Sequence, residues 1–240
     1  MGNALKPRLE HAEKTGVCSL SKCHIREFPA TELQVAATKL RALDLSYNKL
    51  KLVPDSLGQL VNLKVLNLSH NKINKLPDTI CLLVKLETLN VADNNLVNLP
   101  ADFGKLAALK SLNLSENKIK KFPIQLATLR SLDVVDLSSN KINEMGDTEQ
   151  LGSLNCCELL LNNNQLPVLP SQLAKCPRLK ILRVQENCLT LEGIPIELLA
   201  SSSVNALSLE GNLFEERELH ALEGWDAYQE RYTAAKKKMY

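Results

Sequence analysis

One 11-residue pattern recurs eight times along the chain and constrains its fold more than any other feature. The first copy reads Leu40-x-x-Leu43-x-Leu45-x-x-Asn48-x-Leu50. The asparagine that marks each later copy recurs as Asn71, Asn94, Asn117, Asn140, Asn164, Asn187 and Asn212. Successive asparagines are 23, 23, 23, 23, 24, 23 and 25 residues apart. Self-similarity at such a period predicts a stack of small units, each in contact only with its neighbours.

Each repeated residue type has a physical role. The two leucines in Leu43-x-Leu45 alternate with period two, which predicts a short strand with both leucines on one face. The asparagine follows the strand, where its amide can donate to and accept from backbone groups that a turn leaves unpaired. A second signature then begins with Val53-Pro54 and continues with Leu57 and Leu60. Proline suits the first position of a helical turn, and the three-residue spacing predicts a short helix or 3-10 segment.

This combination is the leucine-rich-repeat pattern. It predicts an α/β solenoid shaped as a curved horseshoe, with a parallel β-sheet on the concave face and short helical or 3-10 segments on the convex face. A degenerate ninth copy precedes the others, with Cys23 in the asparagine position. We expect three parts: residues 1–14 as a lipidation signal and helical cap, 15–214 as about nine repeats, and 215–240 as a helical cap and basic tail.

Helical caps are expected because an open-ended stack would expose its core leucines. At the N-terminus, residues 7–15 predict a short helix that begins at Pro7 and turns Leu9 and Ala12 toward the first repeat. At the C-terminus, apolar side chains at helical spacing predict a cap interrupted at Gly224. They are Leu219, Leu222, Trp225, Tyr228 and Tyr232. A ligand site built from these aromatics is the alternative interpretation.

Composition and charge narrow the classes of partner. A net charge of +2 is too near neutral for a typical nucleic-acid-binding protein. There is no apolar run of about 20 residues that could span a bilayer.

The seven cysteines are scattered and no secretory signal is evident, so we expect reduced thiols in the cytosol. In the repeat register Cys156 occupies a leucine position, which predicts one buried and one surface thiol at Cys156-Cys157, with redox sensing as the alternative. We expect a monomer.

The sequence carries no signature of catalysis. It has no dinucleotide or phosphate-binding glycine motif and no nucleophile elbow. It also lacks a Cys-x-x-Cys pair, a His-Glu-x-x-His string and any close group of histidines. We therefore predict no catalytic residues, no metal site and no cofactor.

The remaining candidate functional residues lie on the surface and form two sets. In each predicted strand, some side chains point away from the core. We expect them to form a protein-binding surface on the concave face, and the alternative is that this face is only solvated. These residues are Asp44, Tyr47, Asn67, His70, Asn90, Asp93, Asn113, Glu116, Asp136 and Arg183. A basic edge follows the asparagines, either as a solvated edge or as a contact for anionic lipid or an acidic partner. It comprises Lys49, Lys51, Lys72, Lys75, Lys118, Lys120, Lys121 and Lys141.

The 23-residue form with its Leu-Pro step resembles small intracellular leucine-rich-repeat proteins of the Ras-suppressor type. Further segments carry the resemblance along the whole chain: Met1-Gly2-Asn3, residues 177–183, 186–189 and 210–214, and the tail from Leu222 to Lys238. The resemblance implies a small cytoplasmic solenoid, N-myristoylated, with a signalling or scaffolding role and no catalytic residues to transfer.

The sequence thus predicts a non-catalytic protein-interaction module or scaffold in intracellular signalling, which binds a protein partner on its concave face. The alternative is a membrane-recruited adaptor, in which a myristoylated Gly2 and the basic edge dominate. The acylation motif prefers Ser or Thr at the position that Lys6 occupies, so the string matches incompletely. A single myristoyl chain supports only weak, reversible binding. The expected location is cytoplasmic, with part of the protein on membranes.

Overall fold

The computed structural model describes residues 2–34, 36–146 and 149–237. Met1 and Lys238, which belong to the predicted lipidation signal and basic tail, lie outside the described residues. The chain forms two compact units, Met1–Lys118 and Ile119–Tyr240. The predicted division into cap, repeats and tail is a different partition and stays a prediction.

The first unit begins with helix α1 (Gly2–Thr15) and contains a short helix α2 (Ala30–Gln34). Its strands are β1 (Val17–Ser19), β2 (Ala42–Asp44), β3 (Val65–Asn67), β4 (Thr88–Asn90) and β5 (Ser111–Asn113). Neighbouring strands pair in parallel with no register slip, so the same repeat position stacks throughout, as in Leu43, Leu66 and Leu89. The 3-10 segments that return the chain are Asp55–Gln59, Asp78–Leu82 and Ala101–Lys105.

The second unit repeats this arrangement. Its strands are β6 (Val134–Asp136), β7 (Glu158–Leu160), β8 (Ile181–Arg183) and β9 (Ala206–Ser208), paired in parallel in that order. Its 3-10 segments are Ile124–Thr128, Glu149–Ser153, Ser171–Lys175 and Leu191–Gly193. Three helices complete it: α3 (Ile196–Ala200), α4 (Glu216–Leu219) and α5 (Trp225–Lys237). Parallel strands joined by 3-10 returns confirm the predicted solenoid fold.

The repeated leucines form the core of both units. Leu66, Leu89, Leu159 and Leu182 are fully buried, as are most leucines at the same positions in other repeats. Burying one such side chain stabilises the fold by about 1.5–3 kcal/mol. Because every repeat contributes the same positions, the core is continuous within each unit although few aromatic side chains enter it.

The repeated asparagines satisfy the backbone of the turn that follows each strand. Asn71 illustrates this, because its Nδ2 donates to the carbonyls of Leu45, Leu68 and Ser69 at 3.0–3.1 Å. Its Oδ1 accepts from the N–H of Leu50 at 3.0 Å. The side chain therefore bonds both its own turn and the preceding repeat, as the sequence predicted. Only amide groups that donate and accept at once can do so.

The N-terminal cap differs from its prediction in one respect. Helix α1 begins at Gly2, so Pro7 lies inside it and is not its first residue. Pro7 is the sixth residue of this helix, so it lacks the N–H that would donate to the Asn3 carbonyl, although its fixed φ matches the helical value. Ala12 is buried as predicted, and Leu9 is half-buried.

The C-terminal cap was predicted correctly. Helix α4 ends at Leu219 and α5 begins at Trp225, directly after Gly224, whose φ of +86° is accessible to glycine and unfavourable for other residues. Leu219 and Tyr228 are buried. The Tyr228 hydroxyl accepts a hydrogen bond from the N–H of Leu207 on β9 at 3.0 Å. This bond satisfies an N–H of the last strand, which has no further strand to pair with.

Candidate functional site

The strands are only three residues long, and this decides where the predicted binding residues lie. Asp44, Asn67, Asn90, Asn113 and Asp136 are each the last residue of a strand and are half-buried. The next predicted column comprises Tyr47, His70, Asp93 and Glu116, which lie beyond the strands in the turns. Of the ten predicted residues, Arg183, at the end of β8, is the one that is both a strand residue and exposed.

The strand-end oxygens are engaged by their own turns. Oδ1 of Asn67 accepts from the N–H of Ser69 at 3.1 Å and from its hydroxyl at 2.8 Å. The same bond from the backbone N–H two residues later forms at the other four positions, at 2.9–3.0 Å. Aspartate and asparagine favour this local bond at turns. These side chains therefore shape the turn as well as facing solvent, a structural role that the sequence analysis missed.

The turn residues all adopt left-handed backbone conformations. φ is +55° at Tyr47, +53° at His70, +50° at Asp93 and +54° at Glu116. Non-glycine residues rarely adopt this region, at a cost of about 1–3 kcal/mol each where the fold imposes it. Here the backbone is held by the asparagine that follows each of them and by bonds such as Tyr47 N–H to the Ser69 carbonyl at 3.0 Å. The side chains are thereby fixed in direction at the end of the sheet.

Four of these side chains contact one another in a line, which we call the turn row: Lys22, Tyr47, His70 and Asp93. Lys22 Nζ lies 5.1 Å from the centroid of the Tyr47 ring. Tyr47 stacks on His70 with 4.0 Å between ring centroids and 17° between planes. His70 Nδ1 lies 2.8 Å from Asp93 Oδ2. The row thus presents a cation, two stacked rings and a carboxylate from four successive repeats.

Lys22 was not among the predicted site residues, although a signal for it exists in the sequence. It immediately precedes Cys23, the residue in the asparagine position of the degenerate repeat, just as Tyr47 precedes Asn48. Its φ of +57° shows that the degenerate repeat keeps the same turn. Cys23 N–H donates to Asn48 Oδ1 at 3.1 Å, so the next repeat's asparagine helps to hold this turn.

The turn row is largely exposed. Tyr47 retains 51% of its accessible surface, and the His70–Asp93 pair is open to solvent. Exposed pairs of this kind contribute about 0–1 kcal/mol to stability. The contacts among the four side chains therefore serve mainly to limit their freedom at the surface.

The predicted basic edge divides into groups with different surroundings. Lys49, Lys51 and Lys72 line an open groove together with Arg26, which the sequence analysis did not select. Lys75 and Lys118 are also exposed in the first unit. In the second unit Lys120 and Lys141 are exposed, whereas Lys121 Nζ pairs with Glu144 Oε1 at 2.5 Å.

The predicted burial of Cys156 is confirmed, whereas Cys157, predicted at the surface, is half-buried. Cys156 is fully buried, and its pKa is raised above the ordinary range by desolvation. Cys157 is half-buried and accepts a hydrogen bond from Arg178 Nη2 at 3.2 Å. A buried thiol with a raised pKa is a poor nucleophile, which argues against redox sensing by Cys156.

The described part of the chain contains no group of three or more His, Cys, Asp or Glu side chains arranged to hold a metal ion. Within residues 2–34, 36–146 and 149–237, no helix is both long and apolar enough to cross a bilayer. A cavity of about 290 Å³ lies beside the C-terminal cap, between Leu207, Phe214 and Trp225.

Comparison with known proteins supports the leucine-rich-repeat fold described above. A family model described as a leucine-rich repeat region matches residues 4–114. A leucine-rich-repeat protein of Leptospira interrogans is 27% identical, with a TM-score of 0.60 over 76% of this chain and 51% of that chain. This chain therefore spans about half the length of that relative.

Two further solved structures share the fold at lower identity. Internalin C2 of Listeria monocytogenes is 21% identical, with a TM-score of 0.70 over 86% of this chain and 92% of that chain. TLR13, solved as a complex with ssRNA13, is 24% identical, with a TM-score of 0.73 over 87% of this chain and 31% of that chain. At these identities the likeness concerns the fold alone.

Proposed function

We propose that the chain is a non-catalytic protein-interaction module that serves as a scaffold in intracellular signalling. Its leucine-rich repeats, its parallel strands and the family-model match over residues 4–114 support this proposal. A stack of small repeats offers an extended surface, and binding is the activity that such a surface supports best. The specific function must then be argued from the side chains displayed.

The observation that carries the proposal is the turn row. Tyrosine is among the residues that dominate binding energy at protein interfaces, because it buries a large area and orders few rotatable bonds. Tyr47 is half exposed yet already stacked on His70, and His70 is already paired with Asp93. A partner that binds these groups orders little that is still mobile, which favours affinity.

The chemistry of the row describes the partner surface. The Tyr47 and His70 rings offer a flat apolar area, and Asp93 and Glu116 follow it as exposed carboxylates. A complementary partner therefore presents an aliphatic or aromatic side chain next to hydrogen-bond donors or a cation. In the second unit, exposed Arg183 on β8 offers a separate contact for a carboxylate.

Capture from cytosol with identification by mass spectrometry tests this proposal. The wild-type chain and the Tyr47→Ala variant serve as bait, and Leu213→Ala, which also removes an exposed apolar side chain, serves as the matched control. Proteins retained by the wild type and the control but lost with Tyr47→Ala are the expected result. Identical protein sets on all three baits would show that the turn row is not the binding site.

The second candidate is a membrane-recruited adaptor carrying myristate on Gly2, which rests on the Met1-Gly2 start and the family resemblance. Lys6 and Arg8 adjoin the lipid in sequence, and such cations assist attraction to anionic lipid. Arg8 Nη1 also donates to the Ser19 carbonyl at 2.8 Å, so this arginine is held against the first repeat. Lys6 is therefore the freer of the two to contact lipid.

Two measurements on protein from eukaryotic cells test the adaptor. An intact mass that is about 210 Da above the chain without Met1 indicates acylation with a 14-carbon chain, whereas an unmodified mass excludes it. Proximity labelling with and without Gly2→Ala then separates the two functions. Loss of all labelled neighbours favours membrane recruitment, and an unchanged set favours the turn row.

A further inference from the structure

A groove in the first unit gathers cations that play no part in the turn row. It is an open depression of about 920 Å³, lined by Arg26, Lys49, Lys51 and Lys72. One carboxylate, Glu27, lies among these four cations. The groove therefore carries a strong positive excess on a chain whose net charge is only +2.

The backbone explains why the cations lie together. After each asparagine the chain runs alongside the preceding repeat, so Lys49 N–H donates to the Ile25 carbonyl and Lys72 N–H to the Leu50 carbonyl, both at 2.8 Å. Lys49 and Lys51 flank Leu50, which is buried, and both lysines are exposed. Two neighbouring repeats thus place Lys49 and Lys72 at the same position. In the repeat that follows them, Asn95 occupies this position.

Among the described residues, the groove cations have no anionic partner, unlike Lys64 and Lys105 of the same unit. Lys64 pairs with Glu87 at 2.8 Å, and Lys105 pairs with Asp102 at 2.6 Å. In the described part of the chain, Arg26, Lys49, Lys51 and Lys72 form no ion pair with a carboxylate. Their charge is therefore available to an external anion.

Apolar surface lies in the same groove. Leu52 follows Lys51 directly and retains 65% of its accessible surface, and the half-buried Phe28 lines the groove beside it. An exposed leucine between cations is the arrangement by which a protein enters the boundary between headgroups and acyl chains.

We propose that this groove docks the protein on the anionic face of a lipid bilayer, with the four cations over the headgroups and Leu52 inserted at the interface. The docking depends neither on the turn row nor on acylation of Gly2. Each cation is expected to multiply partition onto the membrane by about fivefold at low salt. Salt screens this attraction, so binding should weaken as ionic strength rises.

Vesicle flotation with chain produced in bacteria, which carries no acyl group, tests the proposal. The probes are vesicles of phosphatidylcholine alone and of phosphatidylcholine with 30 mol% phosphatidylserine, taken as about a third anionic lipid. Binding to the anionic vesicles only, and its loss at high salt, is the expected result. Equal binding to both vesicles, or to neither, would overturn the proposal.

Paired variants locate the surface. Lys49→Gln with Lys72→Gln should lower binding about 25-fold, and Arg26→Gln with Lys51→Gln should do the same independently. The control, Lys85→Gln with Lys105→Gln, removes the same charge at lysines that bond Asn62 and Asp102, and should retain most of the binding. Equal losses in all three would mean that net charge alone binds lipid, contrary to the proposal.

Two further variants separate this surface from its alternatives. Leu52→Ser should weaken binding several-fold without changing the melting temperature, since Leu52 is exposed. Tyr47→Ala should leave vesicle binding intact, so the failure of one proposal does not decide the other. Retention of polyglutamate by a chain that ignores anionic vesicles would assign the groove to an acidic protein and overturn the lipid proposal.

Discussion

The two units repeat the same inward leucine pattern and display different surfaces. The turn position before each asparagine carries Tyr47, His70, Asp93 and Glu116 in the first unit, and Ser139, Asn163, Glu186 and Gly211 in the second. The seven non-glycine residues have φ between +50° and +55°, and Gly211 has +75°. The backbone is therefore the same, but only the first unit uses it to align aromatic and charged side chains.

The position after each asparagine shows the same divergence. It holds Lys49, Lys72, Asn95 and Lys118 in the first unit, and Lys141, Gln165, Cys188 and Leu213 in the second. The backbone bond made there is the same in both units. Packing thus restricts only the inward positions of each repeat, and the outward positions are free to differ. We infer that the first unit carries more of the binding function.

The asparagines give the sharpest test of the shared framework. Asn94 and Asn164 are each 7% exposed and make matching bonds with three backbone carbonyls and one backbone N–H. Replacing either with alanine leaves buried backbone groups unpaired, and each change should lower the free energy of unfolding by about 3 kcal/mol.

Equilibrium denaturation in urea measures both variants against the wild type. The two losses should agree within about 1 kcal/mol, given the spread of such values. If only one of the two variants lost stability, the repeated asparagines would not stabilise both units equally.

Thiol reactivity compares the buried cores of the two units. Burial raises the pKa of Cys18 in the first unit to about 11, and that of Cys176 in the second to about 11, from an ordinary value of 9.0. A thiol pKa that is higher by about 2 lowers the thiolate fraction about 100-fold at neutral pH. Both thiols should therefore react far more slowly than exposed Cys188 in alkylation followed by peptide mapping. Rapid labelling of one of them would show that its unit opens locally.

Binding to the captured partner tests the functional asymmetry. Tyr47→Ala should weaken affinity roughly 30-fold, or about 2 kcal/mol, as expected for a preorganised aromatic anchor. Arg183→Ala in the second unit should cost less than about tenfold, because the exposed side chain forms no ion pair within the part of the chain that the structure describes. Both residues are exposed, so stability should change by about 0.5 kcal/mol or less. Calorimetric titration measures both, and the reverse order would assign the main site to the second unit.

The smallest expected effect is on the pH dependence of stability and concerns Glu87, which lies between Lys64 and Lys110 in the first unit. Hydrogen bonds from Lys110 and Lys64 and their charges lower the pKa of its carboxyl from 4.5 to about 2. The folded state thus binds the proton more weakly than the unfolded state. This stabilisation is present above pH 4.5 and is lost as the pH falls toward 2.

Thermal unfolding between these pH values measures the contribution. Glu87→Gln should flatten the pH dependence of the melting temperature, and 1 M salt should reduce the difference from wild type. An unchanged pH profile would show that the two lysines do not hold this carboxylate in solution. The effect should be small because the side chains are exposed.

The sequence by itself determined the repeat, the inward leucines, the role of the asparagines and the interrupted C-terminal cap. These features are local, because a strand of period two and a turn asparagine are specified within a few residues, and the regular spacing stacks them. Cys156 was placed in the core for the same reason.

Only the tertiary structure decided which outward side chains meet. Lys22 and Tyr47 are 25 residues apart, and their contact depends on the turn that Asn48 holds in the degenerate repeat. Pairing of lysines is likewise set between repeats, because Lys121 pairs with Glu144, whereas Lys49 and Lys72 form no ion pair with any carboxylate among the described residues. A linear pattern gives the register of each side chain, but side-chain direction and the distance between neighbouring repeats determine which charges pair and which rings stack.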